Sequence, residues 1–247
     1  MRMRQAPLTI FCAAAFVAAM LTGCFGGRLH SEEPPGVRMQ GIWKLNRGAS
    51  QDPQKIIDAL RAQADKKIRR AMNAPPVPVS SGGGGGGRRR GGGGAGPGSS
   101  SEPDEYVQQG PPPGLTPGGD SLRNSPTMHA LREVLQRSDY LTIRQSPDQV
   151  SFDYGNYKRS YTPGGHSVVS SENGVADQAS GWDGKAYVIN VRPQLGPEIV
   201  EQYGLSPDGK QLVVKTRIGP FELQKVELTR VYDSTTSVVP NSGPSND

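Results

Sequence analysis

The sequence predicts a mainly β protein: an antiparallel meander forming a barrel or curved sheet of about eight or nine strands. Three observations carry this. Between Tyr140 and Tyr232 short alternating segments recur at intervals of about 8–12 residues. Turn chemistry separates them, most clearly Asp183-Gly184 and Ser206-Pro207-Asp208-Gly209. One earlier alternating segment, around Trp43, completes the set. Two peripheral helices and a long Gly/Pro-rich insert, expected to be disordered, interrupt the β pattern.

The totals fit one folded unit. The chain has 247 residues with 33 Gly and 22 Pro, and hydrophobic residues make up 34%. That is low for a chain folded throughout, so one ordered domain carrying an unfolded insert is expected. Of the two cysteines, Cys12 falls in the leader described next and Cys24 just after it. A mature chain with one cysteine has no internal disulfide and no multi-thiolate zinc site. The net charge of +5 includes Arg2 and Arg4 of the leader, and is too small to argue for nucleic acid.

Residues 1–23 read as an export signal. Met1-Arg2-Met3-Arg4 is basic, and Leu8 to Leu21 is apolar but too short to span a bilayer. The segment ends in Leu21-Thr22-Gly23-Cys24. This resembles the lipobox of bacterial lipoproteins. The resemblance implies a thioether from Cys24 to diacylglycerol, cleavage after Gly23, and a further acyl chain such as palmitate on the new amine. Two or three chains hold a protein on a bilayer almost permanently, whereas one does not. Phe25 stands where an aspartate would favour inner-membrane retention, so the resemblance implies the outer membrane, facing the periplasm. Residues 24–37 are then a flexible tether, with His30 solvated in it.

Residues 38–73 hold the first strand and a basic helix. Asp52-Pro53 supplies an N-cap and a proline at the first helical position. Ile57, Leu60, Ala64, Ile68 and Ala71 keep helical spacing, and Asn73 and Pro75 end the run. Residues 74–124 contain Gly82–Gly87, Arg88-Arg89-Arg90, Gly91–Gly94 and Pro111-Pro112-Pro113, with almost nothing apolar to bury. No strand precedes the glycines and no helix follows, so a phosphate-binding loop is excluded by context. Lys55, Arg61, Lys66, Lys67, Arg69, Arg70 and Arg88 to Arg90 face only Asp58 and Asp65 in this region. Behind an export signal, such local charge suits an anionic lipid or cell-wall polymer better than nucleic acid. A solubilising linker is the plainer alternative.

Residues 125–233 hold the second helix and the meander. Ser125-Pro126 starts the helix, and Met128, Leu131, Val134 and Leu135 form its apolar stripe, with His129 on the solvent side. Leu141/Ile143, Val150/Phe152/Tyr154 and Tyr157/Arg159/Tyr161 alternate in the first three strands. His166 to Gly174 has no clear pattern. Segments at Asp177–Trp182, Ala186–Val191, Ile199–Leu205, Leu212–Ile218 and Leu223–Tyr232 follow. Residues 234–247 read as a frayed tail.

Gly41-x-Trp43-x-Leu45-Asn46, a Leu141-x-Ile143-x-Gln145 strand, Trp182-x-Gly184-Lys185, Ser206-Pro207-Asp208-Gly209-Lys210 and Arg230-Val231-Tyr232 together resemble the lipocalin-like β-domain of a group of secreted bacterial proteins. In lipocalin-like barrels the tryptophan closes one end under a cation from the last strand. That implies closure by Trp43 and Arg230 through a cation–π contact. The long insert departs from a compact lipocalin.

No catalytic, cofactor or metal site emerges. His30, His129 and His166 have no ligand spacing. Glu198, Glu201, Glu222 and Glu227 read as outward faces, and Asp183 and Asp208 as turn residues. Tyr140, Tyr154, Tyr157, Tyr161, Tyr187 and Tyr203 read either as packed residues or as the lining of a ligand cavity. The expectation is therefore a monomeric, membrane-anchored, non-catalytic module for a small apolar ligand or an envelope partner. The alternatives are a periplasmic hydrolase using carboxylates, or a polymer or anionic-lipid binder acting through the Gly/Arg tract.

Overall fold

The computed structural model describes residues 28–75, 77–78, 106–107, 110–171 and 174–237. Ten strands form one antiparallel sheet. They are β1 (Gly41–Leu45), β4 (Tyr140–Gln145), β5 (Val150–Asp153), β6 (Lys158–Tyr161), β7 (His166–Ser171), β8 (Gly174–Asp183), β9 (Ala186–Pro193), β10 (Ile199–Leu205), β11 (Gln211–Ile218) and β12 (Val226–Thr235). Two helices, α1 (Pro53–Met72) and α2 (Pro126–Leu135), lie between β1 and β4. A separate two-stranded pair, β2 (Val77–Pro78) and β3 (Tyr106–Val107), brackets the glycine-arginine tract.

The strand order is β6-β5-β4-β1-β12-β11-β10-β9-β8-β7. Each hairpin pairs sequence neighbours, and β1 is inserted between β4 and β12. The two edges, β6 and β7, are consecutive in the chain and joined by only Thr162 to Gly165, yet no ladder links them among the described residues. The result is an open half-barrel. The expected eight or nine strands become ten because the unpatterned stretch from His166 is strand β7. Its residues are mostly Ser and Val with one polar edge, so alternation is weak, and its place is set by pairing with β8.

The helices form where their capping residues and apolar spacing predict. Asp52 accepts from the Gln54 amide ahead of Pro53, and Leu60, Ala64 and Ile68 are the buried face of α1. Ser125 caps α2 by accepting from the Met128 amide at 3.1 Å. Both helices pack on one end of the sheet. Leu60, Ile68, Leu122, Leu131 and Val134 meet Ile218, Leu223, Val226 and Leu228. The second and larger cluster lies in the concavity, where Trp43, Leu141, Phe152, Tyr154, Tyr187, Tyr203 and Tyr232 meet.

Two segments expected to be loose are packed. Within the expected tether, the His30 amide and carbonyl both bond Trp182, each at 2.9 Å, which continues the β8 ladder beyond the end of β7. Gln145 then clamps the chain, donating to the Val37 carbonyl and accepting from the Met39 amide at 3.0 Å. Within the expected insert, residues 110–124 bury Leu115 and Leu122 beneath the helices. Composition misreads this stretch because two leucines suffice to dock a Pro/Gly-rich run. Cys24 and the Arg88-Arg89-Arg90 run lie outside the described residues.

Candidate functional site

The functional candidate is a cavity of about 490 Å³ between α2 and the concave faces of β6 to β10. Ligand pockets commonly fall in the range of about 300–1,000 Å³. Antiparallel register explains the lining. Val169 faces Ala176 across β7 and β8, and Glu201 faces Ile189 across β10 and β9, so these side chains share the inner surface. Val169, Ala176, Ile189 and Val191 give an apolar wall. The exposed part of the lining includes His129 and Glu133 of α2, Arg159 of β6 and Leu195, with the Arg159 guanidinium 5.5 Å from the Tyr157 ring centre.

The buried end is ionic. Arg137, just beyond α2, approaches Glu201 of β10 at 2.6 Å, and the two side chains are only 8% and 7% exposed. The contact is an ion pair by proximity: Arg137 Nε and Glu201 Oε1 both lack an aligned hydrogen-bond partner. Tyr203 donates its hydroxyl to Glu201 Oε2 at 2.7 Å, and the Tyr154 and Tyr203 hydroxyls lie 3.3 Å apart. The Arg137 guanidinium stands 4.6 Å from the Tyr157 ring centre and 5.3 Å from that of Tyr154. Burial opposes the charge of Arg137, but Glu201 and the tyrosines outweigh it and hold its pKa above the ordinary arginine value. Burial, then the Glu201 charge, pushes the Tyr203 phenol well up. Burial raises the Tyr154 phenol as well. Both tyrosines at this end are therefore neutral donors or acceptors at physiological pH.

Helix α2 covers the cavity and is fixed at both ends. At its start, both oxygens of the buried Glu222 carboxylate receive bonds. Ser125 Oγ and the Thr127 amide donate to Oε1, and Thr127 Oγ1 donates to Oε2 at 2.9 Å. A carboxylate there also meets the positive end of the helix dipole. Lys67 of α1 donates to the Glu222 carbonyl at 2.5 Å, joining all three elements. At the other end Arg230 donates to the Val134 carbonyl at 3.1 Å.

The expected site residues take separate places. Trp43 is buried and donates its indole N–H to the Met39 carbonyl at 2.9 Å. Arg230 is buried with its guanidinium 5.4 Å from the Tyr232 ring centre. The register sets Ser234 opposite Trp43, four residues along β12 from Arg230. Of the named tyrosines, Tyr157 and Tyr161 line the cavity. Tyr154, Tyr187 and Tyr203 are core, and Tyr140 lies half-buried under Lys44. The outward assignment of Glu201 and Glu222 is corrected: both are buried and engaged, while Glu227 is exposed. Among the described residues no group of three or more His, Cys, Asp or Glu comes together for a metal. No described helix is long and apolar enough to cross a membrane.

Sequence reasoning missed Arg137 and Glu201. Each left a signal. Arg137 continues the three-residue spacing of Met128, Leu131 and Val134, and Glu201 shares strand parity with Ile199, Tyr203 and Leu205.

No family model matches this chain, and no curated protein matches it. Similar solved structures include apo lipid binding protein 8 of Caenorhabditis elegans, with a TM-score of 0.41 and 12% identity over 81% of this chain and 99% of that one. A secretory abundant heat soluble protein of Ramazzottius varieornatus gives a TM-score of 0.31 and 18% identity, covering 39% of this chain and 70% of that one. Secretory abundant heat soluble protein 4 of the same organism gives 0.31 and 15%, covering 39% and 68%.

Proposed function

We propose that this chain is a lipoprotein of the cell envelope whose β-domain holds one small amphipathic molecule without transforming it. The cavity carries the reading: an apolar wall leads to a buried polar end, inside a sheet left open between two edge strands. Such a site matches a molecule with an apolar body and one polar group. Anchoring through acylated Cys24 in the outer membrane, facing the periplasm, is supported by the Leu21-Thr22-Gly23-Cys24 signal and by Phe25. Hydrolysis by paired carboxylates is not favoured, since Arg137 and Tyr203 already engage Glu201 and Glu133 is exposed.

Native mass spectrometry of the full chain, produced in a Gram-negative envelope, tests both halves of the proposal. The expected result is a lipid adduct that disappears with Cys24→Ser, and a non-covalent small molecule that disappears with Val169→Trp, which fills the apolar wall. A wild-type chain with no bound molecule would remove the binding reading. An unmodified Cys24 would remove the anchor and leave the cavity reading intact.

A further inference from the structure

We infer that the end of the sheet where the β9–β10 and β11–β12 loops meet the last turns of α1 is a docking surface for an anionic lipid bilayer. The inference stands apart from the cavity reading and from the anchor at Cys24.

Apolar exposure in this domain is one-sided. The large apolar side chains left exposed among the described residues are Met72, Val168, Val175, Leu195 and Phe221, with Leu195 at 67% and Phe221 at 52%. Backbone bonds join their segments into one rim. The Gln194 amide, next to Leu195, donates to the Val175 carbonyl at 3.0 Å, and the Gly219 amide, just before Pro220 and Phe221, donates to the Glu198 carbonyl at 2.7 Å. Val175 stands opposite Ser170, so Val168 lies diagonal to it on the outer face. Helix α1 runs past the Phe221 loop in step. The Gln224 amide donates to Gln63 Oε1 at 3.3 Å, and one turn on Lys67 donates to the Glu222 carbonyl. The following turn, with Arg70 and Met72, continues in the direction of Phe221. Antiparallel hairpins send alternate turns to opposite ends, and the far turns carry Asp183 and Lys185, Asp208 and Lys210 instead.

The charge of the rim chooses the partner. Lys66, Arg69 and Arg70 are exposed and enter no ion pair among the described residues, while Asp65, the acid in that part of the helix, is half-buried. The loop acids are already engaged. Glu198 holds Arg192 at 2.8 Å, Glu227 holds Lys225 at 3.1 Å, and Glu222 is buried against α2. What remains is unspent positive charge beside apolar side chains that project singly from separate segments. Such projections fit a fluid interface, which closes around any spacing, and the cations draw in anionic headgroups. A folded protein partner would have to match each projection separately.

Tryptophan quenching by brominated acyl chains tests this on the full chain, bound to an excess of vesicles of equal phosphatidylcholine and phosphatidylglycerol. One variant carries Phe221→Trp, and a second carries Lys210→Trp at the far end. Trp43 and Trp182 are buried and give both the same background. The Phe221→Trp probe is expected to be quenched more than about twofold more strongly than the Lys210→Trp probe. Adding Lys66→Gln, Arg69→Gln and Arg70→Gln together should bring the Phe221→Trp probe down to the far-end level, and so should vesicles of phosphatidylcholine alone. Equal quenching of the two probes overturns the inference, whether the lipid reaches both or neither. Quenching at Phe221→Trp that is undiminished in the triple Gln variant or on phosphatidylcholine alone also overturns it, because charge would then not choose the surface. Leu195→Trp places a second probe on the same rim, so a disturbed Phe221 loop leaves the question answerable.

Discussion

Glu222 is a buried carboxylate whose oxygens take bonds from Ser125 and Thr127, and whose own carbonyl holds Lys67. Removing it strips a helix cap and strands buried donors. Glu222→Ala should therefore cost about 2–4 kcal/mol, the sum of a lost cap and unsatisfied polar groups. Urea unfolding would read this as a lower midpoint at unchanged slope. A shift within that of an ordinary surface substitution, about 0.5 kcal/mol, would contradict the clamp. Nothing in the sequence marked Glu222, because its partners on α2 lie 95 residues away. Glu201 was closer to legible. Its parity placed it with Ile199, Tyr203 and Leu205, but alternation tells which residues share a face and not which face turns inward. Charge argued for solvent, and the unseen partner Arg137 reversed the answer.

At the scale of elements, local chemistry was readable and long-range docking was not. Asp52-Pro53 and Ser125-Pro126 announced both helices, and Asp183-Gly184 announced the turn between β8 and β9. The docking of the N-terminal segment had no such signal. It rests on close backbone approach, which depends on what glycine lacks. A Cβ at Gly181 would lie 2.7 Å from the His30 carbonyl oxygen and 2.9 Å from the Gly164 nitrogen, both backbone atoms. Gly181→Ala is thus expected to push the segment off β8, at a cost of about 1–3 kcal/mol. Hydrogen exchange would see it as faster exchange at the Trp182 and His30 amides, with β11 and β12 unchanged. Full protection at Trp182 in that variant would show that the segment docks by other means.

For the whole molecule, the number of strands and the open seam were not legible. Which edges meet depends on the curvature accumulated over ten strands, and no single strand encodes that. The meander itself was legible because nearly every connection is a hairpin. The same concave core predicts behaviour in alkali. Burial raises the phenols of Tyr154, Tyr161, Tyr187, Tyr203 and Tyr232 above the ordinary value, with Tyr187 pushed up to about 12. Folded-state values above the unfolded one favour the folded chain fully below about pH 10, and this support drains away as pH rises beyond it. Unfolding should therefore begin above about pH 10 and be steep, because the buried phenols ionise together with it. Tyrosinate absorbance and far-ultraviolet circular dichroism should rise and fall in one transition for these residues. Their ionisation with the sheet intact would contradict the burial described here.

The N-terminal segment also fixes how the domain responds to tension. A pull toward residue 28 falls first on the two bonds between His30 and Trp182, at the end of a ladder where bonds break singly and in order. The next load falls on the side-chain amide of Gln145, which grips Val37 and Met39. Only then does force reach β1, and there it must shear a strand held on both sides by β4 and β12. The weak links are thus placed outermost and in series. They yield as a fuse, releasing several residues before β1 itself is loaded.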